Sequence, residues 1–252
     1  DWPTLNVHLL SVTDDWSGIA IAGPYSRTVL TKLTSADLSD NAVPFMAYAE
    51  IYINGVPVRL FRISFSGELA YEINMAPNAT SAVWDALLNA GADQEIIPYG
   101  LEAMNVLRIE KGHVVGGELN GRTTADGLGF GEMMSTKKAF VGQIPARREG
   151  LTRDDGRQLV GLVPADKKTR IPRGAQLITD PTAAKPVAMH GEVTSQCMSP
   201  NLGHPIALAL LNGGRARYGE TLKAHSPITG QTVTVNVTHP IFIDPQGERL
   251  RG

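Results

Sequence analysis

Residues 69–75 alternate in character, with Leu69, Tyr71, Ile73 and Met75 on one side of an extended chain and Ala70, Glu72 and Asn74 on the other. A period of two predicts a half-buried β-strand. Just upstream, "AEIYI", then Asn54-Gly55, then "VPVRLFRISF" reads as a strand, a tight turn and a returning strand. Asn-Gly suits the positive φ angles of a type I′ hairpin. Pro57 places the returning strand at a sheet edge or at that strand's own start, because proline has no N–H for an inner ladder. "SGIAIAGPYSRTVLTKLTS" predicts a short buried strand that turns at Gly23 into a helix. Pro24 then takes the first helical position, with Val29, Leu30 and Leu33 on one face. "NATSAVWDALLNAGAD" predicts a second helix, with Val83, Trp84, Leu87 and Leu88 inward and Gly91 as its stop. "PYGLEAMNVLRIEKG" predicts a third, opened by Pro98 and closed by Gly112.

The texture changes near residue 150. "REGLTRDDGRQ" has the charge and glycine content of a linker, and short β-like runs follow: "LVGLV", "AQLI", "GEVTSQ", "IALALL", "TLKAH", "TVTVNVTH" and "IFID". Their spacing fits a small barrel or a sandwich. The pattern therefore predicts an α+β region over 1–150, with helices on an antiparallel or mixed sheet, and a small β-domain over 151–252.

Composition narrows the function classes. A formal net charge of −2 gives no electrostatic case for nucleic acid or an anionic membrane. The basic residues Lys137, Lys138, Arg147 and Arg148 read as a solvated face. The longest apolar run, "IALALL", is far short of the ~20 residues a membrane span needs. With Cys197 as the single cysteine no internal disulfide can form, which points to a reducing, cytoplasmic setting. The opening "DWPTLNVHLL" lacks the pattern of a secretory leader, and its abrupt Trp2-Pro3 start reads as the interior of a longer chain.

Most local motifs dissolve on inspection. The six histidines, His8, His113, His190, His204, His225 and His239, show no metal-ligand spacing. Cys197 reads as a small core residue. "GLGFGE" at 127–132 has the wrong glycine spacing and no preceding strand for a dinucleotide loop, so it reads as a tight turn. The sequons at Asn78 and Asn236 are incidental in a reducing compartment. Glu68 and Glu72 remain. Four residues of straight strand span ~13 Å, too far for two carboxylates sharing one task. Glu68 follows the Ser66-Gly67 turn and could bond its backbone amides. For Glu72 two readings stand, a solvated outer face or a ligand-binding carboxylate.

In this order and at these intervals, "AGPYSRTVL", "RISFSGELAYEI", "GLEAMNVLRIEKG", "ADGLGF" and "KKAFVG" resemble the folate-binding module of the glycine-cleavage T-protein family. "LVGLV", "GEVTS" and "SPNLGHPIALALL" resemble that family's C-terminal β-barrel domain. Within the family, "FSGELAYE" and "PIFIDPQGERLRG" are most similar to the alpha subunits of heterotetrameric sarcosine oxidases, with dimethylglycine dehydrogenases more distant. The resemblance implies tetrahydrofolate as ligand and the flavin-bearing beta subunit among partner subunits. Flavin and NAD would belong only to the parent complex. It also implies oxidative demethylation of sarcosine to glycine in that complex, with the one-carbon unit captured as methylenetetrahydrofolate. The family glutamate that grips the pterin falls on Glu72. An ionised carboxylate can accept the adjacent ring N–H and 2-amino donors in parallel. Glu68 and Phe65, on the turn before it, complete the implied folate-binding set, with Phe65 either flanking the ligand or packing in the core. No general base is identified.

Departures qualify the resemblance. Many family members carry an arginine where this chain has Met104, which would remove a salt link to the ligand's glutamyl tail or a neighbouring acid. The family's N-terminal half of the folate domain, with the acidic residue that assists aminomethyl transfer, has no counterpart here, and no flavin or nicotinamide site is visible. A stand-alone aminomethyltransferase and a non-catalytic assembly scaffold are the alternative readings.

Overall fold

The computed structural model describes residues 3–252, so the Asp1-Trp2 opening lies outside the described residues. The chain folds as two compact units, residues 1–99 with 246–252, and residues 100–245. The compositional change near residue 150 falls inside the second unit, just before its first strand.

The first unit is a four-stranded antiparallel sheet with helices on one face. Its elements are β1 (Ser17–Ala22), α1 (Ser26–Thr31), β2 (Tyr48–Ile53), β3 (Val56–Phe61), β4 (Ala70–Met75) and α2 (Thr80–Ala90), in the spatial order β1-β4-β3-β2. Asn54 and Gly55 have φ of 48° and 77°, as a type I′ turn requires. Pro57 is tolerated although β3 is an inner strand, because pairing with β4 begins only at Arg59. The proline thus sits at the strand's start, the second of the two expected placements. α1 begins at Ser26, two residues beyond Pro24, because Gly23 (φ 123°) and the following residues complete the turn first.

Ile19, Ile21, Leu60, Tyr71, Ile73 and Met75 project from the helix-covered face into a core with Val29, Leu30, Val83 and Leu87. Trp84, expected inward, is 40% exposed. Val83 and Leu87 already define the buried stripe, and Trp84 lies about 100° around the helix from Val83. Gly91 ends α2 without a left-handed φ. It is needed for space, since a Cβ there would lie 2.6 Å from the Ile96 side chain. The short helix α5 (Glu248–Arg251) belongs to this unit and delivers the Arg251 carbonyl to the buried Arg62 guanidinium.

In the second unit, α3 (Leu101–Glu110) and the four-residue α4 (Gln143–Ala146) precede a closed six-stranded antiparallel barrel. Its strands are β5 (Arg157–Pro164), β6 (Gln176–Ile178), β7 (Gly191–Ser199), β8 (His204–Asn212), β9 (Thr221–His225) and β10 (Thr232–Thr238), in the order β10-β5-β8-β7-β6-β9. The barrel, rather than the sandwich, is the outcome, and closure leaves no exposed edge.

β8 shows why "IALALL" lacks alternation. Ala207, Ala209 and Leu211 fill the barrel interior. Ile206, Leu208 and Leu210 pack outward against Ile109 of α3, Leu128 and Leu159. Both faces are buried, so both are apolar. "IFID" is not a strand. Its Phe242 and Ile243 amides donate instead to the Glu110 carbonyl at 2.9 and 3.1 Å, where the chain passes the end of α3. Residues 127–129 form the expected tight turn. No helix among the described residues is long and apolar enough to cross a membrane.

Candidate functional site

The uncovered face of the four-stranded sheet carries the candidate site. Along β4, Tyr71, Ile73 and Met75 point to the core, so Glu72 and Asn74 point the other way. Glu72 is half-buried, and no hydrogen bond or ion pair joins its carboxylate to any described residue. Its neighbours across the ladder are Ala20 on β1 and Phe61 on β3. Tyr99 lies close enough to feel the carboxylate: burial pushes its phenol pKa up, and the Glu72 charge adds to that shift. Further along the same face, Phe61 stacks on Tyr48 with ring centroids 5.6 Å apart, and the Arg59 guanidinium sits 4.3 Å over the Trp16 ring. An unpaired carboxylate in such a setting accepts hydrogen bonds and cannot donate them, so its complement is a pair of N–H groups.

Glu68 and Phe65 lie on the turn that leads into β4. Glu68 pairs with Arg249 at 3.0 Å, its side chain 28% exposed against 51% for the arginine. The turn amides that Glu68 was expected to bond are served by serines: Ser64 Oγ accepts from the Gly67 amide at 3.0 Å, and Ser66 Oγ from the Glu68 amide at 3.4 Å. Glu68 lines a cavity of about 700 Å³ together with Pro24, Arg27, Thr28, Arg249 and Gly252. Phe65 is 38% exposed on the same turn. Tyr71 is fully buried, and its hydroxyl accepts from Arg27 Nε at 3.0 Å. Arg27 and the buried Arg62 both pair with Asp40 at 2.5 Å, which spends these cations on structure.

Two charged constellations in the second unit are equally spent. Arg108 of α3 is 3% exposed and Glu118 is fully buried. Ser195 Oγ donates to Glu118 Oε1 at 2.6 Å and accepts from Arg108 Nη2 at 2.7 Å. Asn105 Oδ1 accepts from Arg108 Nε at 3.0 Å, and the Val115 amide donates to Glu118 Oε2 at 2.9 Å. Desolvation lowers the Arg108 pKa while the Glu118 charge opposes that shift. At the end of the same helix, Ser199 and Asn201 donate to the two oxygens of buried Glu110, and Lys111 pairs with Asp244 at 3.0 Å. Ser195 and Ser199 on β7, Asn201 after it and Asp244 are among these partners, so the "LRIEK" stretch clamps α3 to β7 and the Asp244 segment. The helix predicted over this stretch assigned these charges no role. The available signal was local: charged residues beside Ile109 on the same short helix.

Cys197 is buried on β7, and burial first, then the Glu110 charge, pushes its thiol up to about 12. Among the described residues no group of three His, Cys, Asp or Glu side chains could hold a metal ion. Lys137, Lys138, Arg147 and Arg148 are exposed.

The GCVT N-terminal domain family matches residues 1–138, and the glycine cleavage T-protein C-terminal barrel domain matches residues 157–244. The chain is 46% identical over 252 residues to the sarcosine oxidase subunit alpha of Rhizobium meliloti (strain 1021), covering 99% of this chain and 26% of that protein. It thus spans about a quarter of the length of that relative. It is 34% identical over 229 residues to the aminomethyltransferase of Saccharopolyspora erythraea, covering 90% of this chain and 59% of the other. The crystal structure of glycine cleavage system aminomethyltransferase T from Bartonella henselae superposes with a TM-score of 0.71, over 90% of this chain and 60% of that one. At 23% identity that likeness is one of fold. With the first family match extending over more than half of its residues and the barrel match following in order, the chain belongs to the glycine-cleavage T-protein family.

Proposed function

We propose that this chain is the folate-binding part of a sarcosine oxidase alpha subunit, with Glu72 as the residue that holds the pterin. In the parent assembly, sarcosine is demethylated to glycine at a flavin on a partner subunit, and tetrahydrofolate bound here takes up the one-carbon unit. The observation that carries the reading is a half-buried carboxylate on β4 with no protein partner among the described residues, at the position of the family motif. Elsewhere in the molecule, buried carboxylates such as Glu110 and Glu118 are fully engaged.

The residues fit the ligand chemically. Glu72 offers two acceptor oxygens to two adjacent N–H donors. Phe65 supplies a partly exposed ring on the turn leading into β4. Glu68 completes the proposed set, and its carboxylate would exchange Arg249 for the ligand. When bound, tetrahydrofolate supplies the amine nitrogens that accept a one-carbon unit. This chain's contribution is to fix that heterocycle in place, which turns an encounter in water into a positioned one.

The test is a titration of the chain with tetrahydrofolate beside its Glu72→Gln variant. Charge-assisted hydrogen bonds are worth about 1.5–3 kcal/mol, so the variant should bind roughly ten- to a hundred-fold more weakly. Equal affinity of the two proteins refutes the assignment. A stand-alone aminomethyltransferase is the second reading, favoured by the larger share of that relative the chain covers, 59% against 26%. Stable association with a purified flavin-bearing subunit separates the two, because only the oxidase reading requires it.

A further inference from the structure

We propose that Phe61, directly across the ladder from Glu72, is the aromatic wall of the same site and gives it preference for a flat heterocycle. The inference rests on the folate reading and deepens it. The β3–β4 register pairs Phe61 with Glu72, so both side chains rise from the uncovered face. Directly opposed Cβ atoms in an antiparallel pair lie about 4.5–5.5 Å apart. A planar ring that brings its N–H edge to the carboxylate therefore comes within stacking reach of the phenyl group.

The other neighbour of Glu72 makes the arrangement one-sided. Ala20 on β1 is exposed and offers only a methyl group, so no bulky side chain rises from that strand beside the carboxylate. Phe61 is held from behind by Tyr48, whose ring stacks on it at 5.6 Å with 26° between planes. That contact restricts the phenyl before any ligand arrives, so little side-chain entropy remains to be lost on binding. The carboxylate thus selects the hydrogen-bonding edge, Ala20 leaves room for the ring, and Phe61 supplies a π-surface.

The experiment titrates tetrahydrofolate into the 252-residue chain and four variants, Phe61→Leu, Phe61→Tyr, Ala20→Leu and Tyr52→Ser, with the urea midpoint of each measured alongside. Loss of one aromatic stacking partner costs about a tenfold to hundredfold in affinity, so Phe61→Leu should weaken binding by that amount. Phe61→Tyr retains the ring and should bind as the parent does. Ala20→Leu fills the free side and should weaken binding at least as much. Tyr52→Ser, at the far end of β2, should have no effect. Parental affinity in Phe61→Leu overturns the proposal, as does a Phe61→Tyr protein as weak as Phe61→Leu. If Phe61→Leu fails to fold, Ala20→Leu decides alone, and unchanged affinity there overturns the proposal. Absence of saturable binding in the parent chain overturns the folate reading together with this one, whereas binding that is lost in Glu72→Gln and retained in Phe61→Leu overturns only this one.

Discussion

The two units treat charge in opposite ways. In the barrel unit, Arg108, Glu110, Lys111 and Glu118 are almost wholly removed from water, and each finds partners among Asn105, Ser195, Ser199, Asn201 and Asp244. In the sheet unit, Glu72 is only half-buried and has no such partner among the described residues. A buried charge without compensation costs several kcal/mol, so full pairing is the default for structure. A carboxylate left unpaired on the helix-free face of the sheet keeps its hydrogen-bonding capacity. The contrast separates charge that holds the fold from charge that is available for binding.

Breaking the barrel clamp should give the largest effect. Arg108→Leu removes the cation that faces Glu118 and leaves a fully buried carboxylate dependent on Ser195 and one amide. Stability should fall by about 3–5 kcal/mol, read from the urea midpoint at constant slope. A loss below about 1 kcal/mol would mean the clamp is not structural, and the two units would no longer differ in how they use charge.

A pH series sharpens the same side of the comparison. The Cys197 thiol has its pKa raised from 9.0 to about 12, first by burial, then by the nearby Glu110 charge, with Arg108 opposing. The folded state then holds a proton that the unfolded state releases, so any stability from this linkage is intact below about pH 9 and is lost as pH rises toward 12. Comparison with Cys197→Ala isolates the contribution from those of the tyrosines and lysines. The difference in urea midpoint between the two proteins should be constant from pH 7 to about 8.5 and should shift against the parent by pH 10.5. A pH-independent difference would show that the thiol ionises normally in the fold.

On the sheet side, Glu72→Gln should leave stability within about 0.5 kcal/mol, because no protein contact is removed, while the affinity for tetrahydrofolate drops roughly ten- to a hundred-fold. The separation of the two readouts matters more than either alone. A Glu72→Gln protein that is markedly less stable would place this carboxylate with the barrel's structural charges.

The legibility of these features followed the range of the interactions behind them. The Asn54-Gly55 hairpin, the alternation of 69–75 and the six barrel strands were readable because turn chemistry and strand period are local. The two-residue turn also sets the register of the hairpin that brings Tyr48 opposite Phe61, although Tyr48 lies one residue before the predicted strand. Phe61 opposite Glu72 did not, because eight residues, 62–69, separate β3 from β4 and nothing local fixes their alignment. The clamp around α3 was hidden for the same reason, its partners lying 87 to 133 positions away for Ser195, Ser199, Asn201 and Asp244. "IFID" has a strand's composition, yet the closed barrel offers no edge for it to join. Trp84 looked inward because a large apolar residue beside Val83 invites that reading, while helical geometry turns it outward.

Glu68 offers the smallest effect and the finest cut through the comparison, since it lies in the sheet unit and yet has a protein partner. Its pair with Arg249 is partly solvated on both sides, 28% and 51% exposed, and such pairs are worth about 0–1 kcal/mol. Glu68→Gln should therefore shift the urea midpoint only slightly. Its effect on tetrahydrofolate tells where the residue belongs. If Glu68 acts with Glu72, the substitution weakens binding by several-fold even though the stability barely moves. If binding is unchanged, Arg249 accounts for the Glu68 charge, and Glu72 becomes the one acidic group of its motif reserved for a ligand.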